Sequence, residues 1–311
     1  MVILYRKNTP RNLLIPLRFA LYGVYYSHMP EQAPVSPTCD KVTPTADLIA
    51  YVRGLSDIPY ARETSEWGNV SSIAAGFLQE SGDEGKILAV MAESRFKRIS
   101  LQAQDYRHIL ELAVGRSPRG LIFTADPKVN YVATDLPDSL TTYRALMDEL
   151  MGRHNLKRPN LQFAAVDAFS RDDISKAASL LPGGKEPMAV VSEGMMVYFD
   201  MDEKRRFLSN LHALFSIRPG ILITSDVRLG QEARLAKILQ TTAQISGRDM
   251  LAHTFKDEPA AQKFFGQCGF DARPVLDKVD ITTMRRFKLE NDPRAQSYAN
   301  RPIWMLSPSR S

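Results

Sequence analysis

The stretch Leu110-Glu-Leu-Ala-Val-Gly115-Arg-Ser-Pro-Arg119-Gly120 decides the fold, because the apolar run His108 to Ala113 ends there on small residues and a proline. A strand that turns sharply at residues without large side chains lets a nucleotide cofactor approach the backbone. The fingerprint of three glycines is incomplete: Ala113 stands at its first position and no G-x-G-x-x-G follows, so the stretch alone also fits an ordinary tight turn into a helix. Asp135 favours the cofactor reading. It lies twenty residues after Gly115, at the end of the next strand candidate, Asn130 to Thr134. A carboxylate there can accept from both hydroxyls of a ribose. Pro137 ends that strand, since proline disfavours helical backbone at the residue before it.

Outward from this pair, helical patterns alternate with short apolar runs, which is the signature of a parallel sheet covered by helices. Ser71 to Leu78 and Lys86 to Phe96 read as helices before the first strand, and Ser139 to Met151 as one after the second. Leu161 to Val166 and Met188 to Ser192 read as the third and fourth strands. Asp200, with Glu203 three residues on, makes a capping box opening a helix from Met201 to Phe215. Gly220 to Ser225 is a fifth strand. A long insertion follows, reaching towards Phe270, with Leu235, Ile238, Leu239 and Thr242 on one amphipathic face. This face is expected to form a lid over an acceptor pocket. Strands at Ala272 to Leu276 and Pro302 to Leu306, with a helical stretch between them, finish the chain.

The chain has 311 residues, 44% of them hydrophobic and 24% charged, enough for one large α/β domain and unlike a disordered composition. Two cysteines, Cys39 and Cys268, make no disulfide framework, and the five histidines show no ligand spacing, so no structural metal is expected. Of the net charge of +5, four units are Arg6, Lys7, Arg11 and Arg18, in a first thirty residues that hold no acid. The nearly neutral remainder has no broad footprint for a phosphate backbone, so no nucleic-acid partner is expected. The longest uncharged run in that basic segment, Phe19 to Pro30, has 12 residues, too short to span a membrane. Residues 1–44 read as an extension and a proline-rich linker, Pro30 to Pro44, with the organised domain at 45–311. The extension fits a weakly docked arm, a reading frame begun upstream of Met29, or a surface-binding or targeting segment.

Three motifs together, Leu110 to Gly120, Tyr131-Val-Ala-Thr-Asp135-Leu-Pro137 and Ser192-Glu-Gly-Met-Met-Val-Tyr198-Phe, resemble the leucine carboxyl methyltransferase family, in particular its bacterial polyketide-type O-methyltransferase branch. The resemblance runs from about Ala46 to Leu306. It implies a seven-stranded, Rossmann-like class I S-adenosylmethionine-dependent methyltransferase sheet with a reversed last strand, a helical cap drawn from residues 45–97 and 228–263, and a place in secondary metabolism. It also implies S-adenosylmethionine as methyl donor. Arg98 matches the family position that pairs with the donor's carboxylate, with Arg95 close enough to take that role instead. Gly115 would admit the methionine moiety, Asp135 would hold the ribose, and Asp167 would accept from the adenine amino group. Where the family often has leucine after this aspartate, the chain has Ala168. Glu193 would face the donor's ammonium, and Tyr198 would lie on the acceptor side.

In-line transfer from a sulfonium depends mainly on holding the acceptor oxygen close and aligned. A carboxylate acceptor needs no base, whereas a phenol or enol does, and none of His108, His154, His212 or His253 sits in a recognisable motif. The expected activity is therefore O-methylation of a carboxylate or hydroxyl of a small molecule by a cytoplasmic enzyme. Two other readings share the strand–turn–acid pattern: an NAD(P)-dependent oxidoreductase, and a fold that binds S-adenosylmethionine without turnover.

Overall fold

A computed structural model describes residues 39–67, 82–230, 248 and 253–309. These residues belong to one unit, Thr38–Ser311. Seven strands form a single sheet in the order β3-β2-β1-β4-β5-β7-β6: β1 (His108–Leu112), β2 (Asn130–Asp135), β3 (Leu161–Ala165), β4 (Met188–Ser192), β5 (Gly220–Thr224), β6 (Phe270–Val275) and β7 (Ile303–Pro308). The first five are parallel, and β7 runs antiparallel to both β5 and β6. This is the seven-stranded α/β fold with a reversed last strand that the sequence predicts.

Strands β1 and β4 are buried along their whole length, as a sheet covered on both faces requires. Alternation then sorts their side chains. Leu110, Leu112, Val132, Val190 and Leu222 pack with α6 (Arg171–Ser179), α7 (Met201–Ile217) and α8 (Glu258–Gln267). Ile109, Tyr131, Ala133, Ala189, Val191 and Ile223 face α3 (Asp83–Ala103) and α5 (Pro137–Arg153). Glu111 shares the second face. A carboxylate in the middle of a buried strand needs partners there.

Local chemistry sets the helix starts. Pro137 is the first residue of α5 and Leu136 is extended before it, since proline's fixed φ suits a first turn and its missing N–H costs nothing there. Asp200 caps α7 by accepting from the Asp202 and Glu203 amides, and Glu203 returns a bond to the Asp200 amide, completing the capping box.

The helices preceding β1 depart from expectation. Residues 39–44, read as the end of a linker, are the first positions of α1 (Cys39–Arg53), which is followed by α2 (Ala61–Glu66). The prolines around them concealed the helix. The helix expected at 86–96 runs from Asp83 to Ala103, while that expected at 71–78 lies outside the described residues. So does most of the expected lid, including Leu235, Ile238, Leu239 and Thr242. The base of that insertion is described: Leu229 pairs with Phe255 in a short parallel bridge, and α8 begins within residues assigned to the cap. The helical stretch between β6 and β7 is two short helices, α9 (Thr282–Arg286) and α10 (Pro293–Ala299). The turn after β1 leads into the short α4 (Arg119–Phe123).

Candidate functional site

The strand order reverses between β1 and β4, so the crevice at their carboxyl ends is the switch point where open α/β sheets take ligands. The turn after β1 and the loop after β4 form its two sides. Ala113 and Gly115 both have positive φ, 53° and 54°. That conformation suits glycine, and an alanine there is strained. The Gly115 amide donates to Asp135 Oδ2 at 2.8 Å and the Leu136 amide to Oδ1 at 2.8 Å. Burial raises the Asp135 pKa more than these two amides lower it. Sequence and structure thus agree in joining Gly115 to Asp135.

Helix α1 lies across this turn. A Cβ on Gly115 would stand 3.2 Å from the Ala46 Cβ, Asp47 pairs with Arg116 at 2.9 Å, and the Tyr198 hydroxyl donates to Thr45 Oγ1 at 3.0 Å. A valine at 115 would therefore strain the backbone and press on α1 as well as fill cofactor space.

Glu193, just past β4, is the focus of a buried charge cluster. Its Oε1 accepts from Arg53 Nη2 at 3.1 Å and Arg95 Nε at 2.9 Å, and its Oε2 from Arg119 Nη2 at 2.5 Å. Burial would raise its pKa, but Arg119, then Arg95 and Arg53, outweigh burial and hold it down to about 2. Arg119 also donates to Glu111, which in turn accepts from the Tyr131 hydroxyl and the Ser117 hydroxyl. Burial works against the Arg119 charge, yet Glu111 and Glu193 raise its pKa above the ordinary arginine value. Burial lowers that of Arg53, which Glu193 only partly offsets. Both guanidiniums stack on Phe96, at 5.1 Å for Arg53 and 4.3 Å for Arg119. Three cations and two anions leave the cluster with one net positive charge.

This geometry alters two of the expected roles. Glu193 has both oxygens committed to guanidiniums, so it does not stand open to an ammonium. Arg98 points elsewhere: it donates to the backbone carbonyls of Asp277, Ala299 and Arg301 and to the Ser94 hydroxyl, binding α3 to the segment between β6 and β7. Arg95 and Arg98 lie one helical turn apart on neighbouring positions of α3, yet one reaches Glu193 and the other the backbone carbonyls. Arg95 is the arginine of the pair that reaches Glu193 and lies 3.5 Å from the Cβ position of Gly194. Asp167 is exposed after β3, with Oδ1 accepting from the Phe169 amide. Tyr198 sits in the 3₁₀ turn Met196–Tyr198, where burial raises its pKa.

Four positions that the structure brings to this crevice escaped the sequence reading. Glu111 and Arg119 lie inside the quoted turn, and an acid within an otherwise apolar buried strand was the available signal for both. Arg53 carries none, since only the docking of α1 brings it near. Asp226, just after β5, accepts from the amides of Gly194, Met195 and Met196 at 2.7–2.9 Å and fixes the loop after β4.

Beside that loop opens a small cleft between α3, α10 and the adjoining ends of β5 and β7. Arg95, Arg228, Arg301 and Asp226 supply its charged lining. Close by, buried Lys204 donates to the carbonyls of Phe199 and His253, and burial lowers its pKa to about 8 against the pull of Asp226 and Asp200. Among the described residues no group of three or more His, Cys, Asp or Glu could hold a metal ion, and no helix is long and apolar enough to cross a membrane.

No protein-family model and no curated protein matches the sequence. The fold is found in solved structures. A DUF574 family protein from Streptomyces avermitilis aligns at a TM-score of 0.56 with 13% identity, over 86% of this chain and 97% of that one. A "putative methyltransferase" from Thermobifida fusca aligns at 0.52 with 15% identity, over 86% and 94%. At these identities the likeness is one of fold: the chain has the class I S-adenosylmethionine-dependent methyltransferase architecture.

Proposed function

We propose that this chain is an S-adenosylmethionine-dependent methyltransferase acting on an oxygen of a small organic molecule. The observation that carries the reading is the Asp135 carboxylate at the end of β2, held to the Gly115 turn at the switch point of a methyltransferase-type sheet. The donor offers a ribose diol, a carboxylate, an ammonium and an adenine amino group, and the residues at the crevice fit most of these. Asp135 would receive the diol, the turn at Gly115 the methionine moiety, and exposed Asp167 the adenine amino group. Arg95 takes over the carboxylate role expected of Arg98, with Glu193 as the positioning residue that aims it. Tyr198 would stand on the acceptor side. The donor supplies an electrophilic methyl, and the chain orients the acceptor and excludes water. The resemblance of the three motifs to the polyketide-type branch of the leucine carboxyl methyltransferases supports this reading, and with it a proposed role in secondary metabolism within the cytoplasm.

The test is calorimetric titration with S-adenosylmethionine, S-adenosylhomocysteine and the nicotinamide cofactors, on wild type and on Asp135→Asn. The asparagine variant keeps one oxygen for the Gly115 or Leu136 amide. Both sulfur ligands are expected to bind, and Asp135→Asn to weaken them about ten- to a hundredfold, the worth of roughly 1.5–3 kcal/mol for charge-assisted bonds to the ribose. Binding of a nicotinamide cofactor alone would turn the assignment to an oxidoreductase.

A further inference from the structure

We infer that the buried charge cluster beside α1 is completed by a free halide ion, chloride for example, held on the Nε–H of Arg53. This site goes beyond the methyltransferase reading and does not depend on it.

Charge is the first observation. Arg53, the last residue of α1, leaves only 6% of its side chain exposed. The charged groups that weigh most on it are Glu193 and Glu111, which favour its ionised form, and Arg95 and Arg119, which oppose it. With Arg53 itself, three cations stand against two anions. A guanidinium keeps its proton in a protein, so the excess cannot be shed by titration. An uncompensated buried charge is costly, and one monovalent anion brings the sum to zero.

The second observation is a buried N–H that nothing accepts. Arg53 reaches Glu193 through Nη2 at 3.1 Å, while its Nε has no hydrogen-bond partner among the described residues. Among the described residues it is the one buried polar side-chain atom of the cluster in that condition. The local acceptors are taken. At the end of α1 the carbonyls of Ala50, Val52 and Arg53 receive the amides of Gly54, Leu55 and Ser56, and Glu193 already accepts from Arg53 and Arg95 on Oε1 and from Arg119 on Oε2. Phe96 covers one face of the guanidinium at 5.1 Å, so an anion meets it along its edge, where the N–H groups lie. A single N–H suits a monatomic acceptor. A carboxylate instead matches a guanidinium through two oxygens on two N–H groups, which separates this site from the donor carboxylate proposed for Arg95. Since α1 also lies on the Gly115 turn through Ala46 and Asp47, an ion held by Arg53 fastens the helix that covers that turn.

Potassium chloride titrated into the ligand-free protein, with ionic strength held constant by potassium gluconate, tests the site, with chloride NMR line broadening and thermal melting as readouts. Wild type is expected to broaden the chloride line saturably, and its melting temperature to rise by roughly 3 °C at about ten times the dissociation constant. Arg53→Met should lose both effects, while Arg62→Gln, at an arginine whose side chain is 80% exposed, should keep them. Glu193→Gln leaves a second positive charge unmatched and should tighten chloride at least about threefold, the opposite of what a damaged fold would do. Should Arg53→Met fail to fold, wild type and Glu193→Gln decide between them. The inference is overturned if wild type shows no saturable broadening, if folded Arg53→Met retains it, if Glu193→Gln weakens it, or if S-adenosylhomocysteine displaces chloride competitively, which would give the N–H to the donor's carboxylate. A chain that binds chloride in this way and has no affinity for S-adenosylhomocysteine would lose the methyltransferase reading and keep the anion site.

Discussion

Replacing Glu193 by glutamine removes the carboxylate on which three guanidinium groups converge while keeping the shape of the side chain. The cluster then holds Arg53, Arg95 and Arg119 against Glu111 alone, in a place from which water is excluded. Breaking a buried pair in this way typically costs about 3–5 kcal/mol, because the charges left behind are uncompensated. A second route to the magnitude agrees. The fall of the Glu193 pKa from 4.5 to about 2 corresponds to about 3 kcal/mol of native-state preference for its ionised form. For a domain of this size that is a drop in melting temperature of roughly 6–10 °C. The sign with pH is fixed as well. The folded pKa lies below that of the unfolded chain, so this stabilisation is full above about pH 4.5 and is lost as the pH falls towards 2. Scanning calorimetry of wild type and Glu193→Gln should show both the lower melting temperature and the disappearance of that part of the acid slope. Arg53→Met in the glutamine background provides the control. Arg53 bonds through Nη2 to Glu193, and its Nε has no hydrogen-bond partner among the described residues. Deleting it should therefore return the cluster to the wild-type net charge of one and recover at least about 1 kcal/mol by coupling. A glutamine variant that melts with wild type, or a double variant no better than the sum of the singles, would refute the electrostatic account.

Arg98→Gln should cost at least about 3 kcal/mol in urea unfolding, since carbonyls on Asp277, Ala299 and Arg301 lose a buried charged donor. It should leave donor affinity unchanged where folded, whereas Arg95→Gln should weaken the donor about tenfold by calorimetry. Ala113→Gly should raise the urea midpoint by an amount equivalent to about 0.5–1 kcal/mol, because relief of left-handed strain at φ 53° exceeds the entropy cost of glycine. Lys204 has a folded pKa of about 8 against 10.5 when unfolded, so the unfolded chain holds its proton more tightly between those values. Stability should consequently rise with pH across that window, and Lys204→Met should flatten the rise in urea titrations.

Much of the fold was legible because its signals are local. Apolar runs bounded by turn residues marked all seven strands, and the Asp200–Glu203 pair located the start of α7. The link from Gly115 to Asp135 was legible too, since a strand–turn–helix–strand unit of ordinary length brings those positions together. What stayed hidden depends on docking. Arg53 meets Glu193 from 140 residues away, and no local pattern encodes that encounter. Arg95 and Arg98 look alike in sequence, and only the packing of α3 sends one to Glu193 and the other to backbone carbonyls. Asp226 resembles any acid after a strand until its three amide partners are seen.

The uneven charge of the buried cluster bears on how the molecule opens. With α1 lifted away, Arg95, Arg119, Glu111 and Glu193 balance at zero and keep one another as partners. Docking α1 carries Arg53 into the same dry space and adds an unmatched positive charge, which makes this the costly step of assembly. Helix α1 should accordingly be a low-stability unit that exchanges its amide hydrogens ahead of the sheet. An anionic ligand arriving beside the cluster cancels the excess, so occupancy and closure stabilise each other by linkage. Hydrogen exchange along residues 39–53 then becomes a direct meter of ligand binding, read from a helix that need not touch the ligand.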